Sequence, residues 1–225
     1  MATTQRQRNH IGKGDRLREE LIAAAGRVLA ASPDRSELSL RAVAREAGVA
    51  APSVYLQFAD KADLVAAVLR DHFDQLRIAI LNAMTGIADP AARLRAGCLA
   101  YCRFGLDRPG PYRVLFEHKP ADPLRVRPFG QGDDPGARAF ATLVDAINDC
   151  MTAGIAPPGD LFQRAAAVWC GMHGYVTLVR AQPGLPWQPV EAQIEDLLVG
   201  LVGIPRCRPA PPIAADGHHP NDPAW

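Results

Sequence analysis

Residues 38–64, LSLRAVAREAGVAAPSVYLQFADKADL, constrain this chain more than any other stretch, because two short helices there must meet at a fixed angle. Leu40, Val43, Ala44 and Ala47 recur at helical spacing, and Ser39 stands where a hydroxyl caps the first free amides. Gly48 then supplies the left-handed backbone at which a helix commonly ends. Pro52 suits the first turn of the next helix, where its missing N–H costs nothing, and Val54, Tyr55 and Phe58 are the large groups that follow. The pattern is a helix-turn-helix, whose second helix is held out to enter a DNA major groove. By pattern alone, two such helices around a glycine also occur in ordinary bundles.

The rest of the chain reads as all-α. A first helix is expected over Asp15–Ala31, on Leu17, Leu21, Ala25, Val28 and Leu29. Asp60 caps a fourth, connecting helix that continues to about Ala83, and Asp89–Pro90 open a fifth. Pro109–Pro111 break the fifth, and Tyr112–His118 form a short sixth. Residues 119–136 read as a long loop rich in proline and glycine, and a seventh helix is expected over Ala137–Ala153. The eighth, Leu161–Gln182, is apolar almost all round and has to be covered on every side; the ninth spans Val190–Val202. No strand-like alternation and no repeat occur. The expected division is a disordered basic arm over 1–14, a helix-turn-helix domain over 15–60, a larger ligand-binding and dimerisation domain over 61–204, and a disordered proline-rich tail over 205–225. Two terminal helices with more apolar surface than one chain covers point to a four-helix homodimer interface through 161–182 and 190–202.

Composition excludes some classes. The longest apolar run, residues 165–179, is shorter than the roughly 20 residues of a membrane span and contains a histidine, so no membrane segment and a cytoplasmic location are expected. Five cysteines without framework spacing read as reduced thiols. The net charge of +1 carries little, but Arg6, Arg8, Lys13, Arg16 and Arg18 gather before and at the first helix, suiting phosphate contact.

With these motifs placed, residues 38–64 resemble the most characteristic segment of the TetR family of bacterial transcriptional regulators, with Gly48, Val49, Tyr55, Phe58, Lys61 and Leu64 where that pattern expects them. Trp169, His173 and Gly174 resemble the Trp-x-x-x-His-Gly signature of one subgroup, and YRVLFE at 112–117 is similar to its accompanying short helix. The resemblance implies a homodimeric repressor, released from a palindromic double-stranded DNA operator by a small, mainly apolar effector, with no cofactor.

The DNA-binding candidates are Ser39, Arg41, Ala51, Pro52, Ser53, Tyr55, Gln57 and Lys61. Tyr55 and Lys61 suit phosphate oxygens, Arg41 a guanine, Gln57 an adenine, and Ala51 and Pro52 a thymine methyl or sugar. Ala50 and Leu56 depart from the family, standing where a capping serine and a polar or aromatic contact are common. The resemblance also puts a pocket among helices five to eight, with Tyr101, Phe104, Tyr112, Phe116, Phe140, Trp169, Met172 and His173 as candidate lining residues. For each of these, plain core packing is the competing explanation. His173 either orients a ligand or satisfies a buried carbonyl, with Gly174 beside it permitting close helix approach.

Two alternatives stand beside the repressor. Cys98/Cys102 and Cys170/His173 have spacings that could converge on a metal or a thiol switch, although no metal site is assigned. A helical enzyme or small-molecule-binding protein needs a convergent acid–base or nucleophile set, and Glu117, His118, Asp145 and His173 show no such order, so no catalytic residue is assigned.

Overall fold

The computed structural model describes residues 11–31, 38–117 and 134–207. Within them the chain forms helices α1 (Ile11–Ala31), α2 (Leu40–Glu46), α3 (Ala51–Tyr55), α4 (Lys61–Met84), α5 (Pro90–Asp107), α6 (Pro109–Phe116), α7 (Pro135–Thr152), α8 (Leu161–Ala181) and α9 (Val190–Leu197). No strand occurs among the described residues.

Side-chain caps set most of the starts. Ser39 Oγ accepts from Ala42 N–H at 3.1 Å, and Asp60, Asp89 and Asp160 accept from the amides three residues on at 2.7–3.0 Å. Gly48 leaves α2 with φ +68°, the left-handed conformation expected of it.

Several boundaries differ from the sequence reading. The first helix begins at Ile11, so part of the expected arm is helical, and the remainder of the arm lies outside the described residues. Lys13 therefore sits within α1, and Arg18, inside the first helix as expected, braces the end of α3. The prolines at 109 and 111 begin α6 instead of ending a break, because a proline in the first turn sacrifices no helical hydrogen bond. α7 starts two residues early, at Pro135, because Asp134 caps it as Asp89 caps α5. The ninth helix is regular only to Leu197 and closes with a π-helical turn over Leu198–Val202. The first residues of the expected tail are tied down: Arg95 donates to the Pro205 carbonyl, and Cys207 N–H donates to Glu195 Oε1 at 2.7 Å. Most of the 119–136 loop, His118 and the rest of the tail lie outside the described residues.

Two cores meet along α4. The N-terminal core collects Leu21, Ala25 and Leu29 from α1, Leu40 and Val43 from α2, and Val54 and Phe58 around α3, with Leu64 and Val68 from the first half of α4. The second half of α4, through Leu76 and Ile80, belongs to the larger core with α5 to α9. The boundary between the two units thus falls inside α4 and not at residue 60. Val114 of α6 is also fully buried in the N-terminal core, while its neighbours Tyr112 and Leu115 belong to the other. Arg113 on the same helix donates to the Ala30 carbonyl at 3.1 Å. Helices α4 and α6 are therefore the two rigid links between the ends of the molecule.

α8 is not covered on every side. Phe162 and Leu178 are 56% and 49% exposed, with Leu201 beyond α9 also exposed. Gly174, expected to admit a neighbouring helix, has nothing within 4 Å of where a Cβ would stand. Gly171 makes the close approach instead, its Cβ position lying 2.5 Å from Leu197 Cδ2 of α9.

Candidate functional site

At the DNA end, α1 and α2 pack behind α3 and leave one of its faces outward. Val54 and Phe58 are buried, whereas Pro52, Tyr55 and Leu56 are exposed. These three stand at i, i+3 and i+4 and share one face. Ser53 and Gln57 flank it, half-buried, with Ala51 at the start of the helix. Ala50 forms no side-chain cap, as its identity requires. Arg41 and Arg45, one turn apart on α2, are both exposed. Ser39 is exposed, but its oxygen already accepts the cap hydrogen bond, leaving only its O–H proton for a phosphate. Lys61 is the first residue of α4, half-buried beside the free amides that Asp60 caps only in part.

One contributor was missed. Arg18 Nη1 donates to the Gln57 carbonyl at 2.8 Å, and its guanidinium lies 4.3 Å over the Phe58 ring. It fixes the C-terminal end of α3 against α1, a long-range contact that no local pattern announces.

At the other end, α4, α5, α6, α7 and α8 enclose an apolar cavity of about 370 Å³. Tyr101, Phe116, Phe140, Trp169 and Met172 line it, as expected. Phe104, Tyr112 and His173 do not. Phe104 is buried one turn beyond Tyr101 on α5, with the Arg108 guanidinium 5.1 Å over its ring. Much of the wall comes from residues not proposed for it: Phe73, Leu76, Ile80 and Met84 on α4, and Ala139, Leu143 and Ala146 on α7. In the sequence the α4 stripe is the helix periodicity of a connector's core face, which does not by itself distinguish a cavity wall.

Tyr112 and His173 stand behind the cavity wall and hold it. Trp169 Nε1–H donates to Tyr101 Oη at 3.1 Å; Tyr101 Oη lies 3.1 Å from Tyr112 Oη, which is 2.6 Å from His173 Nδ1. An indole N–H can only donate, so Tyr101 Oη accepts from Trp169. The arrangement in which every O–H of the chain finds an acceptor has Tyr101 donating to Tyr112, and Tyr112 donating to an unprotonated Nδ1 of His173. His173 thus satisfies a phenol and not the carbonyl envisaged from sequence. Burial lowers its pKa below the usual histidine value, opposed by the nearby Glu117 carboxylate. Glu117 is itself held by Arg180 at 2.7 Å. Burial also pushes both tyrosines up, so they remain protonated.

The polar atoms at this end of the cavity are consumed by one another. Among the described lining residues Asp134 is the only ionisable carboxylate, and it caps α7 through the amides of Gly136 and Ala137. The cavity is therefore suited to an uncharged, apolar molecule.

Cys98, Cys102 and Cys150 are buried, and Cys170 is exposed on α8. No group of three or more His, Cys, Asp or Glu side chains among the described residues could hold a metal. Burial pushes the Cys102 thiol up to about 12 and Cys98 higher still, the opposite of an activated thiolate. No helix among the described residues is long and apolar enough to cross a membrane.

An exposed recognition face backed by a cavity-bearing helical domain is the arrangement to which the comparisons point. Residues 21–68 match the family described as bacterial regulatory proteins, tetR family, and residues 94–201 match a tetracyclin repressor-like C-terminal domain. The chain belongs to the TetR family of transcriptional regulators. It is 33% identical over 106 residues to the HTH-type transcriptional activator FasR of Mycolicibacterium smegmatis, a match covering 46% of this chain and 47% of that protein. The match thus spans about half the length of that curated relative.

Solved structures agree in fold. A protein of unknown function from Rhodococcus sp. RHA1 superposes with a TM-score of 0.66 at 25% identity, over 88% of this chain and all of that one. A TetR family transcription regulator from Marinobacter aquaeolei VT8 gives 0.67 at 20% identity, over 84% and 97%.

Proposed function

We propose that this regulator is a cytoplasmic homodimeric repressor, released from a palindromic operator by a small apolar effector held in the 370 Å³ cavity. The observation that carries this reading is the double membership of α4 and α6. The cavity wall uses Phe73, Leu76, Ile80 and Phe116, and the same two helices bury Leu64, Val68 and Val114 in the core behind α3. A molecule that spreads the wall therefore displaces the links to the reading head, and its differential affinity for the two arrangements sets the loss of operator binding.

The dimer forms through residues 161–182 and 190–202, where Phe162, Leu178 and Leu201 are exposed and Gly174 leaves room for a second backbone. It places two α3 helices about one DNA turn, roughly 34–36 Å, apart. Ser39, Tyr55 and Lys61 contact phosphates; Arg41, Ser53 and Gln57 read base edges, with Ala51 and Pro52 in apolar contact. The resemblance of Trp169, His173 and Gly174 to the Trp-x-x-x-His-Gly signature supports membership of that subgroup. The likeness to FasR favours a second reading, in which the operator-bound dimer activates transcription.

Selection of duplexes from a random pool by the purified protein tests the first part. The expected product is a palindrome whose binding weakens steeply with salt and falls at least about tenfold in Tyr55→Ala/Lys61→Ala. Enrichment of no sequence would sink the reading. Titration with N-phenyl-1-naphthylamine, a neutral fluorescent probe, tests the second. It should bind and release the selected duplex, and binding without release removes the effector role. A promoter carrying the selected site, read with and without the protein, separates repression from activation.

A further inference from the structure

The outward face of α3 is more apolar than a DNA-reading helix requires. Leu56 is 84% exposed, the most exposed large apolar side chain among the described residues, and shares its face with Pro52 and Tyr55. Its backbone continues the helical path, with φ −75° and ψ −21° at the C-cap, so the side chain is carried on the same rigid element. That end of α3 is also braced. Arg18 holds the next carbonyl, at Gln57, and Phe58 is locked beneath the Arg18 guanidinium. An exposed leucine on a mobile tip needs no explanation; one held rigidly on a nucleic-acid-binding face does.

Base edges in the major groove offer one apolar feature, the C5-methyl group of thymine. A leucine has no donor or acceptor, and facing any other base edge it would desolvate polar atoms without compensation. The polar readers on this helix, Ser53 and Gln57, are half-buried flanking groups.

We propose that Leu56 is a specificity-determining residue that reads thymine methyl groups, so that each operator half-site carries a thymine beneath it. This rests on α3 entering the major groove. It adds that sequence preference at this position comes from apolar contact and not from hydrogen bonding. Because 5-methylcytosine presents its methyl group at the same place, the reading extends to it.

The test uses the full-length protein and the duplex it selects from a random pool. Each thymine of the half-site is replaced in turn by deoxyuridine, which removes the methyl and leaves every hydrogen-bonding group. One position should weaken wild-type binding by roughly fourfold per methyl lost. Leu56→Ala should bind the thymine duplex more weakly by a similar or larger factor, yet be indifferent, within about twofold, to the same deoxyuridine. Leu56 is exposed, so the variant's thermal unfolding should match the wild type and exclude a folding defect.

A cytosine at that position should regain affinity when 5-methylated, in the wild type only. If a sequence is selected but no deoxyuridine weakens binding, or Leu56→Ala keeps the full deoxyuridine effect, the proposal is overturned while the DNA-binding reading stands. If no sequence is selected, both fall.

Discussion

The two ends of this molecule solve opposite packing problems. The N-terminal unit wraps short helices around a closed core in which Leu21, Val43, Val54, Phe58 and Leu64 are fully buried, and it exposes a fixed face. The C-terminal unit uses longer helices to hold a cavity open, lining it with half-buried rings at Phe73, Phe116, Phe140 and Trp169. The first end needs rigidity, since a face displaced by an ångström misses its groove. The second needs slack, since a filled core could not admit a molecule or respond to one.

Matched truncations at the two ends should differ most. Phe58→Ala removes a ring that is 1% exposed and sandwiched under Arg18, and it should cost about 3–5 kcal/mol. Phe140→Ala removes a ring that already faces empty space on one side, and it should cost about 1–2 kcal/mol, having fewer contacts to lose. Denaturant midpoints of the two variants check this. Equal losses would mean that the cavity end is packed as tightly as the reading head.

A smaller effect probes what holds the cavity's shape. Tyr112→Phe removes the hydroxyl between Tyr101 and His173, leaving the Tyr101 proton and His173 Nδ1 without their partner. The expected loss is about 1–3 kcal/mol. Uptake of the neutral fluorescent probe should weaken as well, because Tyr101 and Trp169 are wall residues. A variant that loses neither stability nor uptake would show that the chain of hydrogen bonds merely fills space.

The same contrast explains which parts were legible in the sequence. At the reading head nearly every signal is local: the Ser39 cap, the left-handed Gly48, Pro52 in a first turn and the Asp60 cap each act within four residues. The helix starts at Asp89 and Asp160 are legible for the same reason, and Asp134–Pro135 repeats the Asp89–Pro90 signal.

What escaped was tertiary. Arg18 meets Gln57 across 39 positions, and Val114 crosses into the other core, so neither leaves a periodic trace. The cavity was half legible. Its aromatic residues stood out by type, but type does not separate a ring on the wall from one behind it. Tyr101 and Tyr112 therefore looked alike although only the first lines the space.

The least of the expected effects is a pH dependence, and it isolates one residue. His173 is half-buried and faces Tyr112 Oη, with Glu117 and Arg180 as the charged groups nearby. Burial outweighs the pull of Glu117, so the folded-state pKa lies below the unfolded value near 6.5. Between those two values the unfolded chain binds a proton that the folded chain refuses. Stability contributed by neutral His173 is thus fully present above about pH 6.5 and falls as pH drops through that window, levelling off below the folded-state pKa. Protonation has a structural cost as well. A proton on Nδ1 makes His173 a donor to Tyr112, and one O–H of the Tyr101–Tyr112 pair is then left without an acceptor. His173→Gln keeps an acceptor for Tyr112 but cannot titrate. Thermal unfolding between pH 7.5 and 5 should therefore lose a shallower fraction of its stability in the variant than in the wild type. All other titratable groups are common to both proteins, so the difference isolates residue 173. Identical pH slopes would place His173 outside the proton balance, and a steeper slope in the variant would reverse the direction assigned to its pKa.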